Sequence, residues 1–382
     1  MTIKVAIIEP VGGHCGSDYY DFGLCGGLSA AGVDVVLHTC DETVIPDSSV
    51  FVVRHTYSKI YGESAAWWRG LRFVYGSVRA VLSAVMEGRK IIHLHFFYVG
   101  VLPLMNVLLA RLAGRLVVIT AHDVESFVSS LEGKFMSRMA YRLAHRVIAH
   151  NRISRDELKE RLHVPEHKIT VIPHGNYLHV LRSMPTAAVA RERLGIPPHA
   201  KVLLFFGQIK EIKGLDILLD AMPSVLQHHP DAVLLIAGKT WKTDFSVYQA
   251  RIDTLGINNA CVAHIRYVPD EDVPLYYGAA DLVVLPYRRI YQSGVLVMAL
   301  SYSKAVLVSD IPGMLEMVQE HESGFVFKSG DVADLANKLI EIFSDSETRD
   351  EIAQRGKRLM EKSYGWSNIG LLTKTLYASL DN

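Results

Sequence analysis

Ser293, Gly294 and Val295 sit between an apolar strand ending at Pro286 and an apolar helix. Two lysines, Lys210 and Lys213, follow another apolar strand, Val202–Phe206. A small-residue pair that opens a helix leaves unpaired backbone N–H groups at the positive end of the helix dipole, which is an anion site. The run Gly207-Gln208-Ile209-Lys210-Glu211-Ile212-Lys213-Gly214 adds ammonium groups beside glycines that let a ligand approach the backbone. Together they describe a holder for one diphosphate, with amides from one loop and cations from the other. Plainer readings stand beside this one: Ser293 as an ordinary N-cap, and the lysines as solvated loop side chains.

Histidine supplies a second chemistry. Thr120-Ala121-His122-Asp123 closes an apolar strand, and ligands of open α/β sheets gather at the carboxyl ends of strands. There His122 is placed to orient a hydroxyl or stabilise developing positive charge, and Asp123 to cap the next helix. His93 and His95 share one face of a strand, and His174 ends another; each reads either as core or as site. Asp270-Glu271-Asp272 imitates a metal-binding Asp-x-Asp, but its place just ahead of a helix favours capping and dipole complementation. Glu316 reads equally as structural or as part of a site.

The elements that must position these residues alternate. Strand-like runs at 4–8, 33–37, 90–94, 116–120 and 146–149 are separated by amphipathic stretches at 19–31, 67–86 and 135–144. The alternation restarts after a Pro-bearing bridge, 181–198. New strands follow at 202–206, 232–237, 262–265, 282–285, 305–308 and 324–326, with helices such as 214–226 and 332–343. Strands alternating with helices imply doubly wound parallel sheets, so the fold class is α/β with two tandem Rossmann-like domains. Gly12-Gly13 follows the first strand, but no Gly-x-Gly-x-x-Gly with a later acid accompanies it, which speaks against a nicotinamide-dependent dehydrogenase. Tyr364 to Tyr377 predicts a closing amphipathic helix capped by Ser367.

Composition fits. The chain has 382 residues, 49% hydrophobic and 21% charged, enough for two or three domains at roughly 150 residues each. Lys+Arg and Asp+Glu balance at 40 each, so no net field advertises nucleic acid as a partner. Cys15, Cys25, Cys40 and Cys261 show no paired spacing, which points away from disulfides and zinc and towards a reducing cytoplasm. The N-terminus lacks the features of a signal peptide. The greasiest run, Phe96 to Ala110, is shorter than the roughly 20 residues that span a bilayer, and predicts a buried helix.

In this order, Gly12-Gly13, Thr120-Ala-His122-Asp123, Val171-Ile-Pro-His-Gly175, Gly207 to Gly214, Asp281 to Pro286 leading into Ser293-Gly294-Val295, and the closing Gly365-Trp366-Ser367 resemble glycosyltransferase family 4 over nearly the whole chain. The resemblance implies a GT-B fold, two Rossmann-like domains facing across a cleft with the C-terminal helix crossing back to the first. On that reading residues 1–182 form the acceptor domain, 183–362 the nucleotide-sugar donor domain, and 363–382 the returning helix. It further implies retaining transfer of a sugar from a nucleotide-sugar donor to a glycan or polyprenol-linked acceptor, with no metal or other cofactor. His122, Lys213 and Lys210 become the catalytic candidates, and Gly12, Gly13, Gly207, Gln208, Ser293, Gly294 and Val295 the donor-binding ones.

Two departures stand out. Many members carry a glutamate pair where this chain has Ile290 and Met298, and an arginine where it has Gln208; Lys210 is the candidate to replace that charge. The Ser-Gly-Val version resembles a branch found among bacterial surface-polysaccharide enzymes. The missing carboxylates keep two alternatives open: a non-catalytic nucleotide-sugar-binding subunit, and an epimerase of GT-B-like fold.

A last feature concerns location. Trp67-Trp68-Arg69-Gly70-Leu71-Arg72-Phe73 joins interfacial aromatics to arginines. Lys134, Arg138, Arg142, His145 and Arg146 recur beside Phe135, Met139 and Leu143. Such faces suit anionic lipid and suggest a cytoplasmic protein held peripherally at the inner face of the cell membrane. The alternative is ordinary amphipathic surface helices.

Overall fold

The computed structural model describes residues 2–14, 18–46, 49–122, 131–241 and 244–380, with side chains from 135 onwards in the fourth segment's first helix. Asp123 and the side chain of Lys134 lie outside the described residues. The chain divides into two compact units, Met1–Gly175 with Tyr364–Asn382, and Asn176–Ser363.

In the first unit the strands are β1 (Lys4–Ile8), β2 (Asp34–Cys40), β3 (Val52–Tyr57), β4 (Ile91–Phe96), β5 (Leu116–Ala121), β6 (Arg146–Ala149) and β7 (Ile169–Val171). They form one parallel sheet in the order β3-β2-β1-β4-β5-β6-β7. The helices are α1 (Asp18–Ala30), α2 (Ala66–Met86), α3 (Val101–Leu112), α4 (Leu131–Leu143) and α5 (Arg152–Glu160). Val5 to Ile8 are buried on both faces, as a central parallel strand requires. Ala6 and Ile8 pack in the core under α2, α3 and α4, while Val5 and Ile7 pack on the other side with α1.

The second unit holds β8 (Lys201–Phe206), β9 (Ala232–Ala237), β10 (Cys261–His264), β11 (Leu282–Leu285), β12 (Ala305–Ser309) and β13 (Phe325–Phe327). They are ordered β10-β9-β8-β11-β12-β13, again all parallel. Its helices are α6 (Ala187–Arg193), α7 (Leu215–His228), α8 (Ser246–Leu255), α9 (Val273–Ala279), α10 (Gly294–Ser301), α11 (Pro312–Leu315), α12 (Val332–Ser344) and α13 (Ser346–Lys362).

The last helix, α14 (Trp366–Ala378), belongs to the first unit and packs on α1. Three glycines make this approach possible. A Cβ on Gly27 would lie 2.1 Å from Trp366 O, one on Gly23 would lie 2.1 Å from the Trp366 indole, and one on Gly370 would lie 2.2 Å from the Gly27 backbone. His93 Nδ1 and the Tyr377 hydroxyl, 2.7 Å apart, lock the helix to the sheet.

Several expectations are corrected. Phe96 ends β4, and α3 starts only at Val101. Val101 and Leu112 are exposed, because the helix covers the sheet with one face alone. Gly365, not Ser367, is the N-cap of α14, with no side-chain capping bond. Asp272 occupies the N-cap position of α9 but likewise accepts no capping bond; it pairs instead with Arg266 at 3.4 Å. The stretch 181–198 is no bare bridge. It contains α6, whose Arg191 donates to Ala279 O at 3.1 Å and to Asp281 at 2.8 Å. Strand β3 was not expected, because Arg54 and the exposed His55 break the apolar pattern; the strand expected to end at His174 is the 3-residue β7, which stops at Val171.

Candidate functional site

In the second unit β8 ends in a loop that turns at Gly207, whose φ is +97°. Lys213 closes a short 3-10 turn, Glu211–Lys213, ahead of α7. Gly214 follows at φ +68°, and a Cβ there would lie 1.9 Å from Pro286 O, so only glycine fits. Arg288 holds this turn in place: it donates to Glu211 O at 2.7 Å and makes a two-pronged contact with Asp216 at 2.9 and 2.6 Å.

The turn puts Lys213 Nζ 3.7 Å from the ring centroid of Tyr287, a residue 1% exposed at the end of β11. The ammonium has no hydrogen-bond or carboxylate partner among the described residues. Burial, and secondarily Lys210, pull its pKa down to about 7. Lys210 Nζ lies 5.1 Å from the Trp241 ring, and Gln208 is exposed.

Ser293 is the N-cap of α10, its Oγ accepting from Leu296 N at 3.2 Å. The capping reading therefore holds, and it coexists with exposed Gly294 at the helix start. A Cβ on Gly207 would touch Val295 Cγ2 at 3.0 Å. The two loops singled out from sequence thus approach each other in one unit, at Gly207 and Val295. Glu316 ends α11.

In the first unit, His122 joins a nest of rings. It stacks on Phe97 at 4.3 Å and 13°, and meets Tyr20 edge-on at 4.5 Å. His95, His150 and His174 complete the cluster, with centroids 5.3, 4.9 and 6.5 Å from His122. Burial first, and the other histidines after it, push the His122 pKa well down. Burial likewise takes His95 and His174 to about 4 and His150 to about 3. The cluster is neutral at pH 7.

Neutrality fixes the tautomers. His150 Nδ1 lies 3.1 Å from Ile172 O, so it carries the proton. His150 Nε2 must then accept from His122 Nδ1, 3.2 Å away. That leaves His122 Nε2 a bare acceptor, buried and without a partner among the described residues. A buried acceptor without a donor is costly, and a sugar hydroxyl would satisfy it.

His93 is structural: it bridges Tyr377 and Thr120 Oγ1 at 2.7 Å each. His95 Nδ1 bonds Asp21 at 2.8 Å, beside the buried carboxyl of Glu9. Neither glycine of the early loop has a spare N–H. Gly12 N donates to Glu9, and Gly13 N donates to Thr43 Oγ1 at 3.0 Å. Tyr20 and His150 join this ring cluster but carried no signal in the sequence, since each lies far along the chain from its ring partners; Trp366, noted there only as part of the closing Gly-Trp-Ser motif, meets Tyr20 edge-on at 5.2 Å. Tyr287 stood in the segment that drew attention, but nothing in its spacing showed that it lies under Lys213.

The family model Glycosyltransferase Family 4 matches residues 19–176, and the model Glycosyl transferases group 1 matches residues 187–359. Sucrose-phosphate synthase from Thermosynechococcus elongatus superposes with TM-score 0.74 at 20% identity over 99% of both chains. Anabaena Alr3699/HepE in complex with UDP gives 0.75 at 18% identity, over 99% of this chain and 100% of that one. The fold is GT-B, and each half of the chain matches a glycosyltransferase family model.

Among curated proteins, spore coat protein SA of Bacillus subtilis is 26% identical over 190 residues, 47% of this chain and 48% of that protein. The D-inositol 3-phosphate glycosyltransferase of Thermobispora bispora is 28% identical over 233 residues, 59% of this chain and 54% of that protein. The chain spans about half the length of the curated relatives it matches.

Proposed function

We propose that this protein is a retaining hexosyltransferase that moves a sugar from a nucleotide-sugar donor to a glycan or lipid-linked acceptor in cell-surface polysaccharide or glycolipid synthesis. The carrying observation is the unpartnered ammonium of Lys213 in the same unit as the open amides of α10. A diphosphate leaving group gathers negative charge as the sugar departs, and preorganised cations and amides stabilise that charge most when it is fully developed. His122 contributes a neutral acceptor nitrogen that orients a hydroxyl of the sugar. No metal enters this reading. A lipid-linked acceptor makes the protein a peripheral one at the inner face of the cell membrane; no helix among the described residues is long and apolar enough to cross a membrane.

The test is a thermal-shift screen of UDP-, GDP- and dTDP-sugars, then transfer and hydrolysis assays with the stabilising donor. A bound donor at a hundredfold excess over Kd adds about 2.7 kcal/mol, and the anomeric configuration of the product reports retention. Ile290 and Met298, uncharged where many relatives have glutamate, favour a second reading: a nucleotide-sugar-binding subunit without activity. That reading predicts stabilisation by a donor with neither transfer nor hydrolysis.

A further inference from the structure

Helix α2 has two apolar faces, and the domain needs only one. Phe73, Gly76, Ser77, Ala80, Val81 and Ala84 face the core. On the opposite side Trp68, Leu71, Tyr75, Val78, Leu82 and Val85 recur at alternating three- and four-residue steps, a single stripe along the whole helix. All are exposed, Tyr75 by 67% and Leu82 by 54%, and the stripe is flanked by Trp67 at 69% and Met86 at 81%. An exposed continuous stripe of this kind marks an interaction surface, unlike scattered single apolar residues.

The charges on α2 select the partner. The helix carries Arg69, Arg72 and Arg79 and no acid. Arg69 and Arg72 donate to the carbonyls of Gly62 and Lys59 at 2.9 and 3.0 Å, so their charge is not cancelled by a carboxylate. Arg79 makes no ion pair among the described residues. Glu63 and Glu87 lie beyond the two ends, and Glu87 is already held by Arg54 and Arg89. The tryptophans stack edge-on at 5.3 Å at one end of the stripe, with Arg72 5.6 Å from the Trp68 ring.

We infer that this face of α2 lies on a bilayer rich in anionic phospholipid. The stripe sits at the acyl boundary, the indoles at headgroup depth and the arginines among the phosphates. A second copy of the chain fits less well. Two α2 stripes packed antiparallel would bring Arg72 of each towards Arg79 of the other with no acid to answer them. The face on α4 that the sequence suggested is the weaker one: Met139 and Leu143 pack into the core, leaving Phe135 exposed. The inference deepens the lipid-linked reading of the acceptor and rests on it for its purpose, though not for its geometry.

The experiment is co-sedimentation of the full chain with vesicles of phosphatidylcholine alone, or of equal parts phosphatidylcholine and phosphatidylglycerol. Wild type should pellet with the mixed vesicles only, be released by salt, and show blue-shifted tryptophan emission on binding. Arg79→Glu should weaken partition about 25-fold, at roughly fivefold per unit of charge. Leu82→Gln should weaken it several-fold, with melting temperature unchanged because both side chains point to solvent. Absence of binding, equal binding by wild type and both variants, or a concentration-dependent dimer that Leu82→Gln abolishes would each overturn the inference. Thermal shift with nucleotide sugars on the same variants keeps the two readings apart: donor stabilisation without vesicle binding removes this surface alone, and the reverse removes the donor reading alone.

Discussion

Lys213 holds its ammonium 3.7 Å from the centroid of the buried Tyr287 ring, with no carboxylate beside it among the described residues. Lysine on β8's loop and tyrosine at the end of β11 are thus coupled by a cation–π contact, worth about 0.5–2 kcal/mol. The ring fixes the position of the cation without neutralising it, and so leaves the charge for a ligand. Tyr287→Leu should weaken nucleoside-diphosphate binding by roughly 2–30-fold, while Tyr287→Phe, which keeps the ring face, should bind like wild type. Calorimetric titration decides, with melting curves to exclude simple unfolding. Equal affinity in the Leu variant would remove Tyr287 from the site.

Lys213 also sets a pH dependence. Its pKa of about 7 means the free protein must take up a proton at Lys213 to bind a diphosphate above neutrality. Affinity should therefore fall as pH rises from 7 to 9, by up to about tenfold per unit. Lys213→Arg should flatten the profile because guanidinium stays charged. Lys213→Ala should lower affinity about 10–100-fold at pH 7 and below, the gap to wild type closing as pH rises. The sign for stability is opposite: a lysine depressed in the fold binds fewer protons there than in the unfolded chain, so this term favours folding increasingly between pH 7 and 10.5.

His122 should behave as a group that acts in the transition state. His122→Ala should cut kcat on the order of 10²–10³-fold and leave diphosphate affinity nearly intact, because Lys213 and α10 lie in the other unit. His122→Gln, which restores an acceptor near the Nε2 position, should recover part of the loss. A variant that melts early and loses binding with turnover would mark His122 as structural instead.

The histidine cluster predicts acid sensitivity. His95, His150 and His174 titrate at about 3 to 4 when folded and near 6.5 when unfolded. The unfolded chain therefore binds more protons in that window, and stability should drop as pH falls from 6.5 to 4, by about 1.4 kcal/mol per pH unit for each histidine. Glu9 and Asp21, raised by burial, work in the opposite direction and soften the slope. His150→Asn should reduce the pH dependence of the melting temperature; an unchanged slope would contradict the assignment.

Gly370 tests the return of α14. Gly370→Val drives a side chain into the Gly27 backbone, and overpacking of this kind costs about 1–3 kcal/mol. Thermal melting should show the loss, and mutation of exposed Leu371 on the same helix should not.

The sequence by itself determined the two-fold α/β repeat, because buried parallel strands must be apolar throughout and the helices between them amphipathic. It also singled out the two loops that approach each other at Gly207 and Val295, since glycine, serine and lysine at strand ends have few other uses together. It did not reveal edge strand β3, whose polar residues hide its pairing, and it carried the strand before His174 past the end of the 3-residue β7 at Val171. Only the tertiary structure showed that Tyr20 and His150 meet His122 and that Trp366 meets Tyr20, that Tyr287 lies under Lys213, and that the outer stripe of α2 is open while that of α4 is largely packed. Each of these depends on contacts between residues distant along the chain. Local pattern fixes which face of an element is apolar, whereas packing fixes which apolar face is covered.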